Sequence, residues 1–225
     1  MKLGFGGQEF VLHPSGLVFW PAQGLAIVAD LHLEKGSHFA QRGYFVPPYD
    51  TRETLSRLAS VLAQVEVQRL LVLGDTFHDA KGFARLVPGD RALFDALGAF
   101  APIWVIGNHD GDFVPPGFTG HTEFVLEGIT FRHQAGAGCD FEVSGHFHPK
   151  AEMTHKGARL SRRAFVHDQR RLVLPAFGSY AGGLSVTDPA IAGLFPQGYQ
   201  LHVLGTSRVF TVGRGADQPR ERERK

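Results

Sequence analysis

Five short segments carry residues whose types and spacing suit a pair of divalent metal ions. They are Asp30-Leu31-His32, Gly74-Asp75, Gly107-Asn108-His109-Asp110, His133 and Gly145-His146-Phe147-His148, in that order along the chain. Each offers nitrogen or oxygen donors suited to divalent first-row metals. Three of them directly follow an apolar, strand-like run, at 25–29, 70–73 and 103–106. In an open α/β sheet the carboxyl ends of strands are where ligands bind. The pattern predicts a two-metal hydrolase, and a phosphate ester is the target that such a pair serves best.

Each segment has a plain reading beside the chemical one. Asp30 and His32 are two apart, so in an extended chain they share a side and can reach one cation; alone they are a turn residue and a surface histidine. Asp75 follows a strand and Gly74, and its two oxygens can bridge two metals; alone it is a turn aspartate. Asn108 supplies a neutral oxygen donor. His109 beside it is placed to stabilise the transition state or protonate a leaving oxygen, and Asp110 is expected to hold the His109 ring. His133, His146 and His148 lie close together at predicted strand ends. His78, three residues past Asp75, is expected either to contact a non-bridging phosphate oxygen or leaving group, tuning diester against monoester use, or to support the ligands from behind. The fixed order of all five segments is what outweighs the separate plain readings.

The surrounding elements must bring these segments together. Asp50 reads as an N-cap, with Glu53 completing a capping box. Leu55, Leu58, Ala59, Leu62 and Val65 follow at helical spacing, predicting a helix over about 51–66. Pro88 opens a second helix over roughly 89–98, with Leu93, Phe94 and Leu97 on one face. Stretches 34–49 and 80–87 read as loops. The first half is therefore strand, helix, strand, helix, strand, which argues for a parallel sheet with crossover helices. The second half reads as strands at 122–126, 129–132, 141–144, 159–166 and 171–174, the first two joined at Glu127-Gly128 as a hairpin. These predict a second, largely antiparallel sheet packed on the first.

The chain has 225 residues, enough for one domain with a substantial core. No repeat or linker divides it, and residues 1–212 read as that domain. Residues 213–225 are Arg/Glu-rich without an apolar anchor and read as a disordered tail. A formal net charge of +1 gives no global basic field, so any polyanion site must be a local patch. Cys139 is the single cysteine, so no intrachain disulfide forms. That fits a reducing cytoplasm. No signal sequence is read at the N-terminus, and no stretch reaches the ~20 apolar residues of a membrane span. The 19 phenylalanines are expected mostly between the two sheets.

The five motifs D-x-H, G-D, G-N-H-D/E, a lone His and G-H-x-H resemble those of the calcineurin-like metallophosphoesterase superfamily. Longer matches sharpen the resemblance: Asp30-Leu31-His32-Leu33-Glu34-Lys35-Gly36, Gly74-Asp75-Thr76-Phe77-His78, Gly145-His146-Phe147-His148-Pro149 and Leu174-Pro175-Ala176-Phe177-Gly178. These are similar to the ligase-associated DNA damage response endonucleases, the PdeM branch. The resemblance implies an α/β four-layer sandwich of two mixed β-sheets flanked by helices. It implies two divalent ions, manganese first, with iron, zinc or cobalt also compatible. The first would be held by Asp30, His32, Asp75 and His148, the second by Asp75, Asn108, His133 and His146, with water between them attacking phosphorus. It implies a phosphodiesterase and DNA endonuclease in a repair set with a helicase, an exonuclease and an ATP-dependent ligase. The chain departs from many members at Gln134, where Gly often follows the lone His, and His121 is the fallback ligand. A small nucleotide or another phosphate ester is the alternative substrate.

DNA contact is expected through the phosphate backbone, which lysines and arginines bind without regard to sequence. Lys150, Lys156, Arg159, Arg162, Arg163, Arg170 and Arg171 form the expected track, with Lys35, Arg42 and Arg85 as additions. Its plain reading is a solvated hairpin. Tyr44, Phe45, Pro47 and Pro48 are either a rim that stacks a base or a packed loop.

Overall fold

The first sheet takes its strands in chain order: β1 (Lys2–Phe5), β2 (Gln8–Leu12), β3 (Val18–Trp20), β4 (Leu25–Ala29), β5 (Arg69–Leu73), β6 (Ile103–Val105) and β7 (Thr119–His121). Strands β1 to β4 pair antiparallel, and β4 to β7 pair parallel. Helices α1 (Lys35–Ala40) and α2 (Asp50–Leu62) connect β4 to β5. Helices α3 (Gly82–Arg85) and α4 (Pro88–Asp95), with a 3-10 turn at Ala96–Phe100, connect β5 to β6. This is a computed structural model, and it describes residues 1–155 and 158–215.

The second sheet contains β8 (Glu123–Leu126), β9 (Ile129–Arg132), β10 (Phe141–Ser144), β11 (Lys150–His155), β12 (Ala158–His167), β13 (Arg171–Val173), β14 (Tyr199–Leu204) and β15 (Val209–Gly215). Its order is β15-β14-β12-β13-β10-β9-β8, with β11 paired to β12. The fold is thus an α/β sandwich of two mixed sheets. The expectation of a largely antiparallel second sheet is corrected at its centre, where β9, β10 and β13 run parallel. That pairing carries the site. Ser144 lies level with Arg132, so His133 and Gly145 leave the sheet side by side, joined by Gly145 N–H to His133 O at 2.9 Å.

Side-chain alternation builds three apolar layers. Leu25, Ile27 and Ala29 of β4, Leu71 and Leu73 of β5, and Val105 of β6 fill the space between the sheets with Phe10, Trp20, Phe131 and Phe165. The intervening Ala26, Val28, Leu70, Val72 and Trp104 face α2 and α4, against Leu58 and Phe94. Beyond the second sheet, Val166, Val173 and Val203 pack on Ile191 and Phe195, beside the single turn of α5 (Pro189–Ala192). The phenylalanines are shared among these layers rather than confined between the sheets, because Phe77, Phe83, Phe94, Phe113 and Phe118 fill the helical side.

Several local expectations change. Helix α2 ends at Leu62, with Val61 buried where Ala59 was expected. Tyr49 occupies its N-cap position, and no side chain caps it. Asp50 instead accepts the Gly36 N–H at 3.0 Å, while Thr51 Oγ1 accepts the Glu34 N–H at 2.8 Å. The start of α2 therefore fixes the loop that follows Asp30 and His32, a loop that itself contains α1. Strand β15 continues to Gly215, beyond the expected domain end at 212; the rest of the charged tail, 216–225, lies outside the described residues. Among the described residues no helix is long and apolar enough to cross a membrane.

Candidate metal centre

Parallel register sets the site. Ala29 pairs with Leu73, and Leu73 with Val105. Asp30, Gly74-Asp75 and the 107–110 loop therefore emerge at one edge of the first sheet. His133 and Gly145 to His148 emerge from the second sheet toward the same place. Asp30 and His32 do not reach it along an extended strand, as the sequence suggested. Both adopt left-handed backbone, φ 55° and 44°, and so do Asp75 (48°), His146 (70°) and His148 (47°). Such conformations are costly for residues with a Cβ and concentrate at functional sites. Gly74, at φ 70°, has no room for a side chain at all, since a Cβ there would overlap the His133 ring.

Three groups of donor atoms among the described residues could hold a cation: His32, His78 and His109 form one, and the other two, Asp30-His32-His148 and Asp75-His133-His146, adjoin through Asp75. In the Asp30 group, His148 Nε2 lies 3.2 Å from both Asp30 Oδ1 and His32 Nε2, and His32 Nε2 lies 3.8 Å from Asp75 Oδ2. In the Asp75 group, His133 Nε2 lies 3.0 Å from Asn108 Oδ1, 3.0 Å from His146 Nδ1 and 3.4 Å from Asp75 Oδ2. Asp75 Oδ1 accepts the His109 N–H at 2.9 Å, which leaves Oδ2 facing both groups.

These distances fit a divalent cation in each of these two groups. Bonds of about 2.1 Å place neighbouring ligands about 3 Å apart. Two pairs of imidazole nitrogens also face each other, and without a proton or a cation between them their lone pairs would oppose. Burial, then His148, pushes His32 down to about 2, so it is neutral and able to bind a metal. Burial, then His133, also lowers His146. Burial opposes charge on His133 as well, yet its hydrogen bond to Asp75 and the Asp30 and Asp75 carboxylates raise it to about 9. In the metal-free protein a proton on His133 thus stands where a cation fits.

The remaining histidines form a second layer. His109 Nδ1 donates to His78 O at 2.8 Å, so Nε2 is the free position; it lies 4.0 Å from Asp75 Oδ2 on a ring 38% exposed. The His78 ring stacks on His109 at 5.1 Å and meets His32 and His38 edge-on. Burial, then the Lys35 charge, lowers His78 to about 4. Sequence reasoning passed over His38 and Asp79, which support this layer. Asp79 accepts His38 Nδ1 at 2.7 Å and Arg85 Nη2 at 2.6 Å. The acidic residue directly after His78 was the available signal.

Asp110 is corrected. It does not hold the His109 ring, which the His78 carbonyl holds instead. Asp110 is buried, and its oxygens accept the N–H groups of Phe77 and Gly107 at 3.1 and 3.0 Å. It ties two motif loops together. Burial raises it to about 6. His121 ends β7 and packs on Phe124, outside the donor groups.

Among solved structures, the nuclease MPE of Pseudomonas putida is similar over nearly its whole length. The TM-score is 0.72 and the identity 25%, covering 94% of this chain and 99% of that one. No family model matches the chain, and no curated protein does.

The expected basic track does not survive as a continuous strip. Arg163 points its guanidinium at the carbonyls of residues 176–179, and Arg171 at those of Gly136 and Leu194 with Glu142 nearby. Arg170 is held by Cys139 O, and Arg85 by Asp79, Ser37 and Glu34. Lys156 lies outside the described residues, and only the backbone of Arg159 is described. Lys150 follows His148 by two residues, and Arg162 is exposed on β12. In the loop after α1, Tyr44, Phe45 and Tyr49 are 65%, 97% and 68% exposed, so this loop is not packed as its plain reading required. Tyr180 anchors it through Pro47 O at 2.8 Å.

Proposed function

We propose that this protein is a two-metal phosphodiesterase of the calcineurin-like metallophosphoesterase superfamily that cleaves DNA. Asp30, His32, Asp75 and His148 hold one divalent ion, and Asp75, Asn108, His133 and His146 the other. The observation that carries this reading is the sharing of Asp75 Oδ2 between two donor groups drawn from five separate segments. The likeness to a nuclease supports the substrate class. Manganese is the proposed native ion on the strength of the PdeM-like motifs; the mixed imidazole, carboxylate and amide donors accept iron, zinc or cobalt as well.

Two such ions supply Lewis acidity to phosphoryl oxygens and an activated water. The chain's own residues do the rest. Asp75, fixed by the His109 amide, keeps the two groups in register. His109, with Nδ1–H committed to the His78 carbonyl, offers Nε2 toward the opening; in its protonated form that nitrogen donates to the leaving oxygen. His78 lies against His109 and steers the phosphate's non-bridging oxygens or leaving group. Lys35, beside this layer, adds positive charge where a phosphate arrives. The PdeM-like motifs extend the proposal to a cytoplasmic repair role beside a helicase, an exonuclease and an ATP-dependent ligase.

The test is manganese titration with hydrolysis of bis-p-nitrophenyl phosphate and plasmid nicking, on wild type and Asp75→Asn. Wild type should bind two ions per chain and show both activities. The variant should hold at most one ion and lose more than about 100-fold in rate, exceeding the effect of losing a supporting contact. Wild-type protein that is loaded with manganese and inert on both diesters would overturn the reading.

A further inference from the structure

Two half-buried arginines lie side by side next to the metal centre, with no buried carboxylate paired to them among the described residues. Arg57 reaches in from α2 and Arg163 from β12. Arg163 donates to the carbonyls of Ala176, Phe177, Gly178 and Ser179 at 2.9–3.4 Å. Arg57 donates to Phe177 O and to Ser179 Oγ, and its Nε is buried with no partner. The acidic contact of the pair is Glu53, 3.5 Å from Arg57 and 59% exposed. Burial, then the charge of Arg57, weakens the hold of Arg163 on its proton. Lys150 stands directly across the β11–β12 ladder from Arg163, a like-charge pairing that disfavours the hairpin. On the same ladder Glu152 is level with Ser161.

These cations converge on a cleft of about 490 Å³ lined by Arg57, Lys150, Ser161, Arg162, Arg163 and Ser179 among others; none of its described lining residues is acidic. Neutral carbonyls hold the guanidiniums in place but do not cancel their charge. An anion in the cleft relieves the repulsion that neutral carbonyls leave in place. Arginine forks and serine hydroxyls match phosphate oxygens. The cleft also connects to the centre. Lys150 is two residues past His148, and the segment the arginines hold is hydrogen-bonded to the first motif through Gly178 N–H to Asp30 O at 3.0 Å. The Lys35 charge acts on His32 and His78 and itself feels Lys150.

We propose that this cleft binds a second phosphodiester of the same polynucleotide strand, flanking the one held at the metal centre. The proposal rests on the phosphodiesterase reading for the scissile phosphate, but its test does not need turnover. Binding of a fluorescent thymidine dodecamer without terminal phosphates is measured by anisotropy in EDTA. The variant is Lys150→Gln with Arg162→Gln, which spares the arginines that brace residues 176–179. It should bind about tenfold more weakly, and the slope of log K against log salt should fall by roughly 0.7 per lost contact.

A second arm uses wild-type protein only. A dodecamer with neutral methylphosphonate linkages around one central phosphodiester should bind about tenfold more weakly than the all-phosphate strand, with a correspondingly shallower salt slope. Equal affinities for both strands and both proteins would remove the flanking site. Micromolar binding of inorganic phosphate, lost in the double variant, would reassign the cleft to a small anion and also overturn the proposal. If wild type binds the dodecamer as expected yet hydrolyses no diester with manganese, the catalytic reading fails and the cleft stands.

Discussion

The amide of His146 donates to both carboxylate oxygens of Asp30, at 2.9 and 3.2 Å, so the last metal motif of the chain orients the carboxylate of the first. That contact spans 116 residues and joins the two sheets. It turns Asp30 Oδ1 toward His148 Nε2, and it needs the backbone at Gly145 to run close beneath Asp30.

Replacing Gly145 tests this closeness. A Cβ there would stand 2.5 Å from Asp30 Oδ2 and 2.7 Å from Ala29 Cβ. Gly145→Ala should weaken metal binding about 10–100-fold by displacing Asp30, and overpacking should cost about 1–3 kcal/mol of stability. Calorimetric manganese titration and a thermal melt read the two effects. Full metal affinity with an unshifted melt would show that the backbone yields without moving Asp30.

His109 and His78 should separate by substrate. His109→Gln should lower kcat on diesters by about 10²–10⁴, with manganese still bound, since no ligand is removed. His78→Ala should change the ratio of rates on bis-p-nitrophenyl phosphate and p-nitrophenyl phosphate. An unchanged ratio would place His78 away from the substrate and leave it only the role of its carbonyl, which the Ala variant keeps.

The proton on His133 predicts a pH dependence. Its folded value, about 9, lies above the ordinary 6.5. In metal-free protein the resulting stability is therefore fully present below pH 6.5 and is lost as pH rises through about 9. A metal ion needs the neutral imidazole, so binding expels that proton. Manganese affinity should climb about tenfold per pH unit between 7 and 9 if one proton is released. Over the same range the EDTA-treated protein should melt progressively lower. Affinity flat across that range would show His133 already neutral.

Much of this centre was legible as sequence because its signals are local. The apolar runs that hold β4, β5 and β6 stop at Asp30, Gly74 and Gly107, so the motifs were legible at strand ends. Short α1 and α3 carry no helical periodicity over their six and four residues, and they read as loop. Asp50 shows how a local rule loses: its side chain serves the Gly36 amide across the fold rather than its own helix. The basic stretch from 150 to 171 was legible only in part, since a charge count cannot say which arginines spend their donors on carbonyls and which cations line a cleft.

The order of donor types, the strand ends that carry them and the histidines available for chemistry were thus set by the amino-acid sequence. Tertiary structure alone decided three matters: the parallel β9–β10–β13 pairing that brings His133 beside Gly145, the His78 carbonyl that orients His109 in place of Asp110, and the crowding of Arg57 with Arg163 and Lys150. Each of these joins residues distant in sequence, or makes neighbours compete for one partner. Hydrogen-bond geometry and charge proximity are properties of space, and spacing along a chain does not encode them.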